Sequence, residues 1–198
     1  MSTELIVKLR GMTGAGVVDC KNALKESGGD IDKACLWLRE KGIASAVKKI
    51  GRSAKEGLVY SYIHGNGTLG VLVEVNCETD FVSKTEDFKN LVKEIAMQVA
   101  AVAPTYVSRQ QVPLNILESE KKIYEAQLKE DKKPESVWSK IIEGKIEKFY
   151  SQVCLYDQIY MRDASGKETI KDLVTNVIAK VGENIVIKRF ARFKLGEE

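Results

Sequence analysis

At the start of the chain, apolar positions recur at three and four residues and are punctuated by glycines. Leu5, Ile6 and Leu9 mark a first helix ending near Gly11, and Val17, Val18, Cys20, Ala23 and Leu24 mark a second that stops at Gly28-Gly29. Asp30 is a suitable N-cap for a third helix that carries Ile31, Ala34, Cys35 and Leu38 inward and closes at Gly42. The pattern predicts a three-helix domain over residues 1–43, whose small core suits an attached recognition module. Residues 44–56 then place Lys48, Lys49, Arg52 and Lys55 among alanines and glycines, a basic linker that is helical over part of its length.

From Gly57 the period changes. Leu58 to Ile63, a turn at His64-Gly65-Asn66-Gly67, and Leu69 to Val75 predict two strands of a hairpin. Helical spacing returns after Phe81-Val82, with Thr85 as N-cap, Glu86 and Asp87 complementing the helix dipole, and Phe88, Leu91, Val92, Ile95, Val99 and Val102 repeating until Pro104. Residues 113–153 predict a helical hairpin, with Leu117, Tyr124 and Leu128 on one arm and Trp138, Ile142, Ile146, Phe149 and Val153 on the other. An irregular stretch leads to a helix capped by Thr169 and ended by Gly182. Residues 184–193 then alternate Ile185, Ile187 and Arg189 against Val186, Lys188 and Phe190, a third strand. The expected fold is α+β: the helical domain, then a core over residues 57–198 in which an antiparallel three-stranded sheet carries helices on one side.

Composition narrows the function. Of 198 residues, 44% are hydrophobic and 30% charged, a balance that builds a real core. A net charge of +3 is too weak to argue for DNA or RNA by itself. No stretch approaches a membrane span and the polar start lacks a signal-peptide core, so a cytoplasmic protein is expected. The four cysteines form no CxxC pair and the single histidine, His64, has no neighbour at metal spacing, so no metal, cofactor or catalytic residue is expected. Thr13-Gly14-Ala15-Gly16 precedes a helix, but no strand leads into it and no Gly-Lys-Ser/Thr follows; tight helix packing explains it better than direct nucleotide binding. Lys48, Lys49, Arg52 and Lys55 offer an alternative function, an RNA- or ribosome-binding module, although no aromatic platform accompanies them. The oddest placement is Phe81, a large aromatic beside Asp80 on a connection between strand and helix. Such a residue either tucks into the core, beginning the inward stripe of the next helix, or docks into something else.

Three ordered groups of motifs bear on that choice. The first comprises Thr13-Gly14-Ala15-Gly16, Asp19-Cys20, Ala23-Leu24, Gly29-Asp30-Ile31 and Leu38-Arg39-Glu40-Lys41-Gly42. The second is Glu74-Val75-Asn76-Cys77-Glu78-Thr79-Asp80-Phe81-Val82. The third is Glu143-Gly144, Lys148-Phe149-Tyr150 and the run from Val181-Gly182-Glu183-Asn184 to Phe190. Together they resemble the bacterial-type translation elongation factor Ts family, in its short, single-core form, over almost the full chain. The resemblance implies a helical domain like ubiquitin-associated modules. It also implies an activity without bond chemistry, the release of GDP from the GDP form of the GTPase elongation factor Tu. In that family the aromatic wedges between helices of the GTPase and disturbs its magnesium and phosphate site. Carried over, the wedge is Phe81, with Asp80 as polar companion and Thr79 and Val82 setting its exit; Thr13, Gly14, Ala15, Gly16 and Asp19 make secondary contacts. The single core implies a homodimer or a 2:2 complex. Tyr156-Asp157-Gln158-Ile159-Tyr160 departs from the family's Gln-Pro-Phe-like pattern and leaves the local geometry there open.

Overall fold

The structure is a computed structural model that describes residues 2–197. The outermost domain limits expected from sequence, Met1 and Glu198, lie outside the described residues. The chain divides into two compact units. One runs to Leu58 and adds Val75–Leu91 and Val174–Val186; the other takes Val59–Glu74, Val92–Leu173 and the chain from Ile187.

The first unit opens with α1 (Thr3–Thr13), α2 (Val17–Glu26) and α3 (Ile31–Val47). Asp30 caps α3 by accepting from Lys33 N at 3.0 Å. Leu9, Cys20, Ala23, Leu24 and Ala34 form the buried centre of this bundle, with Trp37 and Leu38 packed against it. Two details differ from the sequence pattern. Helix α3 runs through Gly42 instead of ending there; a Cβ at that position would stand 3.1 Å from the Ala179 Cβ, so the glycine serves close packing, not termination. Val17 and Val18, although at helical spacing with the core residues, are 51% and 70% exposed.

Strands β1 (Glu56–His64), β2 (Leu69–Cys77) and β3 (Ile185–Lys194) form an antiparallel sheet in the order β1-β2-β3. Gly57 is required there: with φ of 142°, any Cβ would fall 2.1 Å from the Val75 carbonyl oxygen. The register of β3 on β2 follows from Leu195 N donating to Thr68 O at 2.9 Å and Arg189 reaching Glu74 at 2.6 Å. Val71, Val73, Val75 and Cys77 give β2 a buried face. The alternation of β3 is not strict as expected, since Lys188 and Arg189 are both exposed. Just before this break, Ile187 N donates to the Tyr156 hydroxyl at 3.0 Å, a bond outside the ladder.

Five further helices follow: α4 (Asp80–Ser83), a single turn where the sequence pattern predicts only a connection, and then α5 (Glu86–Val102), α6 (Leu114–Glu130), α7 (Trp138–Val153) and α8 (Ile170–Val181), which follow that pattern. Thr85 caps α5 by accepting from Phe88 N at 3.3 Å, and Phe88, Leu91, Val92, Ile95 and Val99 are its buried stripe. In the second unit the atypical stretch around Gln158 is held by buried amides. Gln98 Nε2 donates to Ile159 O at 3.0 Å, and Gln98 Oε1 accepts from Met161 N at 2.9 Å. Gln158 Nε2 donates to Gln152 O at 2.9 Å. Arg109 adds a bidentate pair with Glu147, 2.8 Å at each nitrogen, and a further bond from its Nε to Asp157 at 2.8 Å.

Candidate functional site

Where β2 ends, the Cys77 thiol donates to Thr79 O at 3.1 Å, and Thr79, extended at φ −126° and ψ 156°, becomes the N-cap of α4. The Thr79 hydroxyl accepts from Val82 N at 3.4 Å and donates to Glu183 Oε1 at 2.6 Å, while Thr79 N donates to Glu183 Oε2 at 2.9 Å. One residue further on, the polarity is reversed. Asn184 N donates to Glu78 Oε1 at 2.6 Å, Asn184 Nδ2 donates to Arg52 O at 2.8 Å, and Arg52 sits 3.7 Å from Glu78. Thr79 and Glu183 stand 104 residues apart in sequence, yet Glu78-Thr79 and Glu183-Asn184 clamp each other through charge-assisted bonds.

The turn mounted on this clamp is one helical turn long. Its closing bonds run from Thr85 N to Val82 O at 3.0 Å and from the Ser83 hydroxyl to Asp80 O at 2.7 Å. Val82 and Ser83 face inward, each 7% exposed, whereas Phe81 is 77% exposed. Phe81 therefore does not begin the inward stripe of α5; Phe88, fully buried, does. Lys84 Nζ lies 2.6 Å from the Asp80 carboxylate and 6.0 Å from the Phe81 ring centroid. Its hydrogen bond holds the Asp80 carboxyl below the usual carboxylate range. An exposed pair of this kind adds little to stability, so its effect is orientation.

A magnitude shows why the clamp matters. Burying one phenylalanine is worth about 1.5–3 kcal/mol. Ordering one backbone residue costs about 1–2 kcal/mol. A four-residue turn ordered only on docking would cancel the gain from its own ring. A turn already held by Glu183, by Val82 burial and by its cap keeps that gain available.

Thr13, Gly14, Ala15, Gly16 and Asp19 are brought together elsewhere in the same unit. Gly14, at φ 68°, ends α1, Gly16 is the N-cap of α2, and the Thr13 hydroxyl donates to Leu9 O at 2.8 Å. These residues line a cleft of about 500 Å³ with Cys35, Arg39 and Lys41 of α3 and Asn176 and Lys180 of α8. Lys41 pairs with Asp19 at 3.3 Å. The residues Thr79 to Val82 are not part of that cleft. Exposed Met12, Val17 and Val18 flank the turn and add an apolar surface next to it.

Sequence reasoning gave Glu78, Glu183, Asn184 and Lys84 no role. Glu183-Asn184 stood inside a quoted motif, but nothing in one sequence pairs it with Glu78-Thr79. Arg52, expected on a free basic linker, is bonded to the clamp through its carbonyl and lies beside Glu78. Among the described residues no group of three or more histidine, cysteine, aspartate or glutamate side chains is placed to hold a metal ion. Nor is any helix among them long and apolar enough to cross a membrane.

The sequence model of the family described as Elongation factor TS matches residues 33–167. The chain is 57% identical over 197 residues to Elongation factor Ts of Caldanaerobacter subterraneus subsp. tengcongensis, covering 100% of this chain and 98% of the relative. It is also 57% identical over 198 residues to Elongation factor Ts of Thermotoga neapolitana, with 100% and 98% covered. With Elongation factor Ts of Thermotoga maritima it shares 54% over 197 residues, covering 100% and 97%.

Proposed function

The chain belongs to the elongation factor Ts family, and from that premise we propose that it is the guanine nucleotide exchange factor of elongation factor Tu, working in the cytoplasm during translation. It binds the GDP form of Tu, and Phe81 enters the GTPase beside its magnesium site. The single observation that carries this reading is a phenyl ring 77% exposed on a turn whose neighbouring side chains are buried or bonded. No bond is made or broken, so the chain acts by linkage. Whatever factor the protein takes off the affinity of Tu for GDP, GDP takes off the affinity of Tu for the protein. Each tenfold change corresponds to about 1.4 kcal/mol of coupling. One ring supplies about 1.5–3 kcal/mol, enough to rearrange a switch segment and too little to expel a tightly held nucleotide alone. The wider footing comes from the helical domain over residues 1–43, through Thr13 to Gly16 and Asp19, with exposed Met12, Val17 and Val18 as apolar support. The basic linker over residues 44–56 and the core over residues 57–198 complete the domain arrangement.

The chain pairs with a second copy, as a homodimer or within a 2:2 complex. In the second unit Val59, Ile63, Leu72 and Phe193 are 64%, 62%, 47% and 73% exposed on one side of the sheet. Ile63 lies across Gly70, where a Cβ would stand 3.2 Å from its Cδ1, and the β3 register places Phe193 beside the same glycine. A sheet face with these exposed apolar side chains and the Arg189–Glu74 pair beside them suits a copy of itself.

The deciding experiment is release of a fluorescent GDP from elongation factor Tu with and without this protein. Release accelerates with factor concentration toward a plateau; no acceleration at micromolar factor sinks the reading.

A further inference from the structure

We infer that Glu183 is a positioning residue for exchange: its carboxylate, by taking both the backbone N–H and the hydroxyl of Thr79, fixes the turn that presents Phe81. The inference rests on the exchange reading above and adds a residue to it. Both Glu183 oxygens are committed to one residue, at 2.9 Å to Thr79 N and 2.6 Å to Thr79 Oγ1. Thr79 Oγ1 carries one hydrogen, and directing it at Glu183 leaves a lone pair turned to Val82 N. The carboxylate thereby orients the hydroxyl that caps α4.

A purely structural role is already filled by the neighbours. Asn184 N to Glu78, Asn184 Nδ2 to Arg52 O, and Ile185 at 3% exposure hold this part of β3 in place without Glu183. Glu183 is also rigidly mounted. Gly182, at φ 83°, closes α8 with its N donating to Ile178 O at 3.0 Å, so the side chain leaves a fixed corner. Removing the carboxylate leaves the turn attached but free to fray, since a single helical turn does not hold itself. Affinity, which draws on the whole interface, changes little; the maximal rate, which draws on the wedge, falls.

The test is a titration of fluorescent-GDP release from Tu, reading the plateau rate and the half-saturating factor concentration separately. Glu183→Ala is expected to lower the plateau by at least about 5-fold while half-saturation stays within about 2-fold. Thr79→Val, which keeps the shape and removes the hydroxyl, is expected to lower the plateau as Glu183→Ala does. In a Phe81→Leu background, Glu183→Ala loses less than the product of the two single losses, because both act on one element. An unchanged plateau in Glu183→Ala overturns the inference. So does a loss confined to half-saturation, or full multiplicative loss in the double variant, which marks general destabilisation. If Glu183→Ala does not fold by circular dichroism, Glu183→Gln, which keeps the shape and one acceptor, is expected to show an intermediate plateau, and a wild-type plateau there overturns the inference equally. Failure of the wild-type protein to accelerate release strikes the exchange reading itself; failure confined to these variants strikes only the role of Glu183.

Discussion

A bare phenyl ring next to a buried valine is the residue-scale signature of this chain. Phe81 at 77% and Val82 at 7% exposure are adjacent, so the turn shows solvent an apolar side chain that its own fold does not use. Phe81→Ala is therefore expected to leave thermal stability within about 0.5 kcal/mol of wild type. Stimulated GDP release should nevertheless drop by roughly 10- to 150-fold, the equivalent of one lost ring. Cys77, just upstream, behaves oppositely. Burial first, then the charges of Glu183 and Glu56, push its thiol up to about 11. At pH 8 it is a protonated thiol and should resist iodoacetamide in the folded protein while half-buried Cys35 is labelled first, as read by mass spectrometry of tryptic peptides. Sequence alone left Phe81 ambiguous for a physical reason. An aromatic seven positions before Phe88 fits either a helix stripe or an exposed turn, and only the intervening break at Lys84-Thr85 separates the two.

Among the elements, the legible ones are those whose own period decides them. The inward stripe of α5 and the hairpin of β1 and β2 could be read directly, because burial on one face imposes the spacing. The extension of α3 past Gly42 could not, since a glycine marks a helix end and a close helix approach alike, and the partner Ala179 lies far along the chain. The same limit hid the clamp between Glu78-Thr79 and Glu183-Asn184. Polar pairing across distant elements leaves no periodic trace. One element gives a pH test. Asp163 accepts from the backbone N–H groups of Glu168, Lys167 and Ser165 and from the Ser165 hydroxyl, which holds its carboxyl well below the usual range. A depressed carboxyl stabilises the fold above the unfolded value of about 3.9 and loses that effect as pH falls below it. Asp163→Ala should lower the thermal midpoint at pH 7, with the gap from wild type shrinking as the pH drops below about 4.

For the whole molecule, the proposed exchange activity divides labour between a broad footing and a small effector. In the second unit the sheet exposes the apolar side chains of Val59, Ile63, Leu72 and Phe193. Leu72→Asp is expected to shift the protein from dimer to monomer in sedimentation velocity without unfolding it, because Leu72 is already 47% exposed; a dimer that survives the charge contradicts the pairing proposed for this face. In the exchange activity proposed above, Phe81, not the footing, drives nucleotide release. The most direct measurement is a stopped-flow titration of wild type and Phe81→Ala against Tu loaded with fluorescent GDP, with binding to nucleotide-free Tu followed in parallel. The expected result is a plateau rate that collapses in Phe81→Ala while the protein still binds nucleotide-free Tu. A Phe81→Ala protein that reaches the wild-type plateau would contradict the account.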